Sequence, residues 1–176
     1  MNFKPFPEII TERLLLRRLK ASDCDVILFL RTDENVTKFI ERPEHRKTKN
    51  LSQARILIKE FDSCIETNHS ITWGITLKND LPIIGTICLW NFSQNKKTAE
   101  VGYDLHPKFQ NKGMMSEALK AIVAFGFKEL KLDKIVAFTH AENLHSKKLL
   151  EKHGFHHNVN RKDLDNKSNI IFELEN

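Results

Sequence analysis

A chain of 176 residues, 40% hydrophobic and 29% charged, has room for one globular domain with a real core and needs no disulfide or metal staple. No apolar run approaches the ~18 residues of a membrane span, and MNFKPFPEIITERLLLRRLK lacks the basic-then-apolar layout of a secretion signal. The net charge of +5 admits nucleic acid, an anionic ligand or an acidic partner and selects none of them.

In chain order, RLLLRRL (13–19) is a short apolar strand. Ser22 with Asp23 and Asp25 marks a helix start, since a hydroxyl caps free amides and acids suit the positive end. Val26, Ile27, Phe29 and Leu30 form the helix's buried side. The stretch 37–50, polar and basic around Pro43, reads as a mobile connection. From Ser52, apolar residues at 54, 57, 58, 61 and 65 recur at helical spacing. The period then changes: SITWGITL and PIIGTICLW flank Lys78-Asn79-Asp80 as a hairpin. AEVGYDLH alternates as a further strand. An apolar helix spans about 116–130, KIVAFTH is a strand, and ENLHSKKLLEKHGF is a helix closed by Gly154. Two strands around Asp165-Asn166 end the chain. The order β-α-α-β-β-β-α-β-α-β-β implies a single α/β domain over 1–176 with a mixed sheet.

Between strand and apolar helix lies KFQNKGMMS. Gly113 permits a tight turn and close ligand approach. The unpaired amides at the helix mouth, the helix dipole and Lys108 and Lys112 favour an anion. Such a nest binds a pyrophosphate without metal. The spacing is neither GxxxxGK[ST] nor GxGxxG, and one glycine before a helix is equally consistent with a plain structural turn. Cys24, Cys64 and Cys88 are odd in number and unpaired in spacing, so free thiols in a reducing cytoplasm are expected. Histidines 140, 145, 153, 156 and 157 cluster without HExxH or paired cysteines, so no metal is expected.

Strand, Q-x-x-G, apolar helix, strand, then N-x-x-S…G-F resembles the GNAT acetyltransferases. ITERLLLRRLKASD, AEVGYDL, FQNKGMMSEAL and AENLHSKKLLEKHGF are similar to the RimJ/RimL-type branch, which includes ribosomal-protein N-terminal acetyltransferases. The likeness covers nearly the whole chain, most tightly residues 83–157. It implies the GNAT fold: a mostly antiparallel twisted sheet with two splayed parallel strands, here 99–106 and 134–140, flanked by about four helices. It also implies acetyl-CoA as acyl donor, its pyrophosphate held by the loop of Gln110, Asn111, Lys112, Gly113, Met114, Met115 and Ser116. Met115 stands where a glycine or alanine is commoner in the family.

The attacking amine must be neutral, yet an α-amine has a pKa of ~8 and a lysine ~10.4. A base within reach is useful. Glu100 is the candidate implied by the resemblance; a solvent-facing strand carboxylate is the alternative. The tyrosine acid of many relatives would fall at Leu150, seven residues after Asn143, which has no proton to give. Ser146 is then the candidate acid, against the reading of a helix residue satisfying backbone amides. Asn143 is expected at the pantetheine amides or as a helix cap. The oxyanion is expected to meet a backbone N–H near Tyr103, Asp104 and Leu105, as the resemblance implies. Lys147, Lys148 and Lys152 could face phosphates or solvent.

The acceptor pocket is expected between the first two helices and the hairpins, with Phe39, Trp73, Trp90 and Phe92 as candidate lining, although core packing is the commoner use of each such aromatic. The branch points to a protein or peptide α-amine; polyamines, aminoglycosides, amino acids and a non-catalytic acyl-CoA-binding module remain alternatives. No aromatic-basic RNA motif or helix-turn-helix pattern is present, so nucleic acid is not expected as a partner. Relatives are often dimers, which leaves a homodimer open.

Overall fold

Alternating apolar residues and a polar Lys78-Asn79-Asp80 turn make the strongest strand signal in the chain, and the sheet is built around that hairpin. The structure is a computed structural model that describes residues 1–42, 44 and 47–176. Its strands are β1 (Ile9–Ile10), β2 (Leu14–Arg17), β3 (Ile71–Leu77), β4 (Ile83–Trp90), β5 (Thr98–Leu105), β6 (Lys134–His140), β7 (His156–His157) and β8 (Asn169–Glu175). The helices are α1 (Cys24–Thr32), α2 (Glu34–Thr37), α3 (Leu51–Glu66), α4 (Met114–Lys128) and α5 (Leu144–Lys152). One sheet runs in the order β1-β2-β3-β4-β5-β6-β8-β7. Every neighbouring pair is antiparallel except β5 and β6.

The sheet separates two layers of apolar packing. On one face, Val101 and Leu105 of β5 and Ile135 and Ala137 of β6 pack with Met115, Ala118, Leu119 and Ile122 of α4 and Leu150 of α5. On the other, Ile27 of α1 and Ala54 and Ile58 of α3 close over Leu19 and Ile83. Because side chains alternate along a strand, Glu100, Gly102 and Asp104 project away from α4, toward the α1 side.

Some local expectations change. Ser22 is exposed and caps nothing: a 3-10 turn, Ala21–Asp23, precedes α1. Asp23 supplies no side-chain cap to α1 either: its buried carboxylate folds back on the 3-10 turn, accepting from the Lys20 amide (2.7 Å) and twice from Arg17 (2.8 and 2.9 Å). A buried carboxylate is held by the guanidinium that pairs with it. β1 and α2 are too short to leave a periodic trace; Asp33 caps α2 by accepting from Asn35 and Val36 amides at 3.0 and 3.2 Å. α4 begins at Met114 rather than Ser116, as the left-handed turn at Gly113 leads directly into the helix. The first strand of the terminal pair lies earlier than expected, at His156-His157, paired with Phe172 and Glu173. Asp165 and Asn166 lie between the two strands as expected, in a turn whose amides donate to Asp163. Of the basic connection 37–50, Pro43, with His45 and Arg46, lies outside the described residues. Cys24, Cys64 and Cys88 are free thiols. No helix among the described residues is long and apolar enough to cross a membrane.

Candidate active site

Two parallel strands part in the middle of the sheet. β5 and β6 pair at Thr98–Lys134, Ala99–Ile135 and Glu100–Val136, and the pairing stops there. β4 stays on β5 as far as Leu105, and β8 stays on β6 as far as His140. Past Glu100 and Val136 the strands therefore face each other across a seam with main-chain groups released from the ladder. An extended ligand with amide groups could pair there as a strand would.

One end of the seam opens at the loop before α4. His106 accepts from the Lys108 amide (3.2 Å) and starts a 3-10 turn over Pro107–Phe109. Gln110 ties the loop to β5 by donating to the Leu105 carbonyl at 3.0 Å. Asn111 and Gly113 both adopt left-handed backbone, with φ of 57° and 76°. The amides of 111–116 make no hydrogen bond to any described residue. Free amides at the head of a 15-residue helix are an anion site in waiting.

Glu117, in the first turn of α4, would compete with an anion for these donors. It is drawn off instead, accepting from Thr11 Oγ1 (2.6 Å), the Arg13 amide (2.8 Å) and Arg13 Nε (2.7 Å). Arg13 also donates to the Lys112 carbonyl at 3.1 Å and so braces the loop from below. Sequence reasoning missed Thr11, Arg13 and Glu117. Nothing local links residues 104 apart; the only trace was a basic residue at a strand start.

The other loop residues divide their work. Met115 is buried in the core beneath α4, so its side chain turns away and leaves only its amide to the loop. Met114 packs partly buried against the same core. Ser116 Oγ lies 2.7 Å from His153 Nε2, tying α4 to the end of α5. Lys112 Nζ lies 5.9 Å from the centre of the Phe109 ring. Lys147 Nζ donates to the Ala141 carbonyl at 3.3 Å.

At the point where the strands part, Glu100 is only 9% exposed. Burial, joined by the field of Asp163, pushes its carboxyl up to about 7 against the opposing hydrogen bond from Asn91 Nδ2 at 3.4 Å. Tyr103, on the opposite face, reaches across the seam to α5, where its hydroxyl lies 2.9 Å from Ser146 Oγ. Burial pushes Tyr103 up to about 12, so it holds its proton at neutral pH. Asn143 caps α5, its Oδ1 accepting from the Ser146 amide at 3.1 Å. The cap uses the side-chain carbonyl and leaves the NH₂ to donate elsewhere.

The Asp104 side chain is committed to Thr86, Arg31 and Arg42 on the α1 face, so only its main chain borders the seam. Of the aromatic candidates, Trp73 belongs to the core on the α4 side: it is fully buried, stands edge-on to Phe125, and donates from Nε1 to the Pro7 carbonyl at 2.7 Å. An indole needs one acceptor when buried, and the N-terminal segment supplies it. Phe92 packs near Phe3, its ring centre 6.0 Å away. Trp90, opposite Glu100 in the β4–β5 register, is partly exposed. Phe39 packs against His140 at 5.3 Å between ring centres. Glu100 and His140 thus lie on the face of the sheet away from α4, with Trp90 and Phe39 beside them. Among the described residues no three metal-ligating side chains converge.

The two parallel strands thus enclose a seam with a loop of free amides at one mouth and a buried carboxyl at its apex. A family model described as an acetyltransferase (GNAT) domain matches residues 13–156. The uncharacterized N-acetyltransferase YoaA of Bacillus subtilis is 32% identical over 152 residues, covering 85% of this chain and 83% of its own. The uncharacterized N-acetyltransferase p20 of Bacillus licheniformis is 33% identical over 147 residues, covering 84% and 81%. In fold, the chain is similar to the ribosomal-protein-S5-alanine acetyltransferase of Vibrio fischeri, with a TM-score of 0.81, 22% identity and 97% of each chain covered. It is likewise similar to RimL, a ribosomal L7/L12 α-N-protein acetyltransferase solved with coenzyme A, at a TM-score of 0.81 and 16% identity over 96% of this chain and 98% of that one. The chain belongs to the GNAT acetyltransferase family. Its activity is that of an acetyl-CoA-dependent N-acetyltransferase.

Proposed function

We propose that the enzyme acetylates the α-amine of a protein or peptide N-terminus, by direct attack of the amine while both substrates are bound. The observation that carries this is Glu100: a buried carboxyl with a pKa of about 7, at the apex of the seam and on the side away from the anion loop. An α-amine of pKa ~8 is within easy reach of such a base, and a lysine of ~10.4 much less so. The fold likeness to two ribosomal-protein acetyltransferases supports the same acceptor class.

Acetyl-CoA supplies an acetyl group activated as a thioester. The free amides of 111–116 fit its diphosphate, Gly113 giving room for close approach. The seam edges of β5 and β6, with the Asn143 NH₂, fit the pantetheine amides. Glu100, deprotonated above about pH 7, takes the proton that the amine must shed. A main-chain N–H near Tyr103, Asp104 and Leu105 faces the negative charge that grows on the acyl oxygen. Ser146 holds a proton toward the leaving sulfur, and Tyr103 replenishes it through their shared hydrogen bond. Three free cysteines suit a reducing compartment, and the proposal places the enzyme in the cytoplasm.

Ser146→Ala is expected to lower kcat roughly tenfold, since a thiolate of pKa ~8.5 can also take its proton from water. Tyr103→Phe should lower it only a few-fold, with KM for acetyl-CoA unchanged in both; stopped CoA-release assays separate the two. The acceptor class is tested by CoA release across N-terminal peptides, polyamines and aminoglycosides. Rapid acetylation of a small amine with every peptide inert would overturn the assignment.

A further inference from the structure

On the acceptor side of the sheet, two guanidinium groups share one carboxylate. Asp104 is 4% exposed in its side chain; one oxygen accepts from the Thr86 amide (3.2 Å) and hydroxyl (2.6 Å). The other is hydrogen-bonded by Arg31 and lies 3.8 Å from Arg42 Nη2. The Arg42 side chain is only 20% exposed, and among the described residues it donates no hydrogen bond. Burial and the neighbouring Arg31 push Arg42 down to about 10, so it is still charged at neutral pH. Two cations against one anion, all largely out of water, leave a positive charge seeking a partner.

The place of this charge gives it a use. Glu100, Gly102 and Asp104 project to one face, and a rise of ~3.3 Å per residue sets Gly102 about 7 Å from either neighbour. Gly102 forms a floor without a side chain, where a Cβ would stand 3.2 Å from Cys88 Sγ and 3.7 Å from Trp90 Nε1. Glu100, within the field of Asp163, makes one end acidic, and Arg31 with Arg42 makes the other basic.

We infer that the acceptor is an amine bearing a carboxylate up to ~7 Å from its nitrogen, the ~13 Å between Glu100 and Asp104 less a hydrogen bond of ~3 Å at each end, the amine lying toward Glu100 and the carboxylate on Arg42. This rests on the acetyltransferase reading of the site and names the chemistry of its substrate. The carboxylate can come from an aspartate or glutamate near a peptide's N-terminus or from a free acidic amino acid.

The test is calorimetric binding, with CoA present, of tetrapeptides beginning with Asp or Glu against their Asn and Gln counterparts, and of free glutamate against glutamine. Wild type should bind the acid of a pair about tenfold tighter. Arg42→Gln should erase that difference with acetyl-CoA affinity unchanged, and Arg42→Lys should keep part of it. Indistinguishable binding within every pair, or a preference that survives Arg42→Gln, overturns the assignment. Preference confined to the peptide or to the amino-acid pairs identifies the source. CoA release from neutral peptides without acid preference would sink this inference and leave the N-terminal reading standing. Turnover of free acidic amino acids alone would do the reverse.

Discussion

Glu100→Gln lowers kcat/KM by roughly 10²–10³-fold and leaves acetyl-CoA affinity near the wild-type value, if the carboxylate is the base. The pH profile makes the result diagnostic. Wild-type activity requires Glu100 deprotonated, with its pKa at about 7, and the amine neutral. Below pH 7 both groups are in the wrong state, so log(kcat/KM) should climb with a slope of about 2 and flatten in stages toward pH 8–9. The Gln variant keeps only the amine's titration and a slope of about 1. A variant with the wild-type slope would remove Glu100 from the mechanism.

The same carboxyl has a stability signature of opposite sign. Its folded pKa, about 7, lies above the unfolded value, so the folded state holds the proton more tightly. That contribution is complete below ~4.3 and is lost as pH rises through the folded pKa, by up to ~3 kcal/mol at pH 8. Glu100→Gln should therefore melt higher than wild type at pH 8 and level with it near pH 4. A mutation that stabilises the fold while disabling the reaction is characteristic of a group held in an unfavourable state for use.

Gly113→Val is the second large effect. A β-branched residue at φ 76° is strained by ~1–3 kcal/mol, and its Cβ would stand 3.3 Å from Arg13 Nη2. Relief requires the turn to rotate, which redirects the free amides of 111–116. Acetyl-CoA affinity should fall by roughly 10–100-fold in equilibrium titration, with only a small fall in Tm because the loop lies outside the core. Gly113→Asn is the control, since asparagine tolerates left-handed backbone and already does so at Asn111. Wild-type affinity in Gly113→Val would show that the diphosphate binds elsewhere.

Much of this was legible in one dimension. Alternation over 70–90 and 99–106, helical spacing from Ala54 to Ile65, and Gly113 ahead of an apolar helix are local signals with local causes. β1 and α2 were not legible, because two- and four-residue elements are stabilised by neighbours rather than by their own pattern. Trp73 could have been core or pocket lining, and only the register of its strand puts it in the core on the α4 side. Ser22 looked like a cap, yet it is exposed and caps nothing, and the Asp23 carboxylate beside it pairs with Arg17.

By itself, the sequence determined the order of the elements long enough to carry a period and the tight turn at Gly113, because backbone preference and hydrophobic period are properties of neighbouring residues; Glu100, Ser146 and Asn143 stood out only through the resemblance to the GNAT family. The tertiary structure alone decided that Glu100 is buried enough to titrate near 7 and that Tyr103 meets Ser146 across 43 residues. It alone brought Arg31, 73 residues before Asp104 in sequence, and Arg42 to that one carboxylate. Burial and charge pairing depend on which segments the sheet order sets side by side, and β5 lies beside β6 only after α4 has crossed between them.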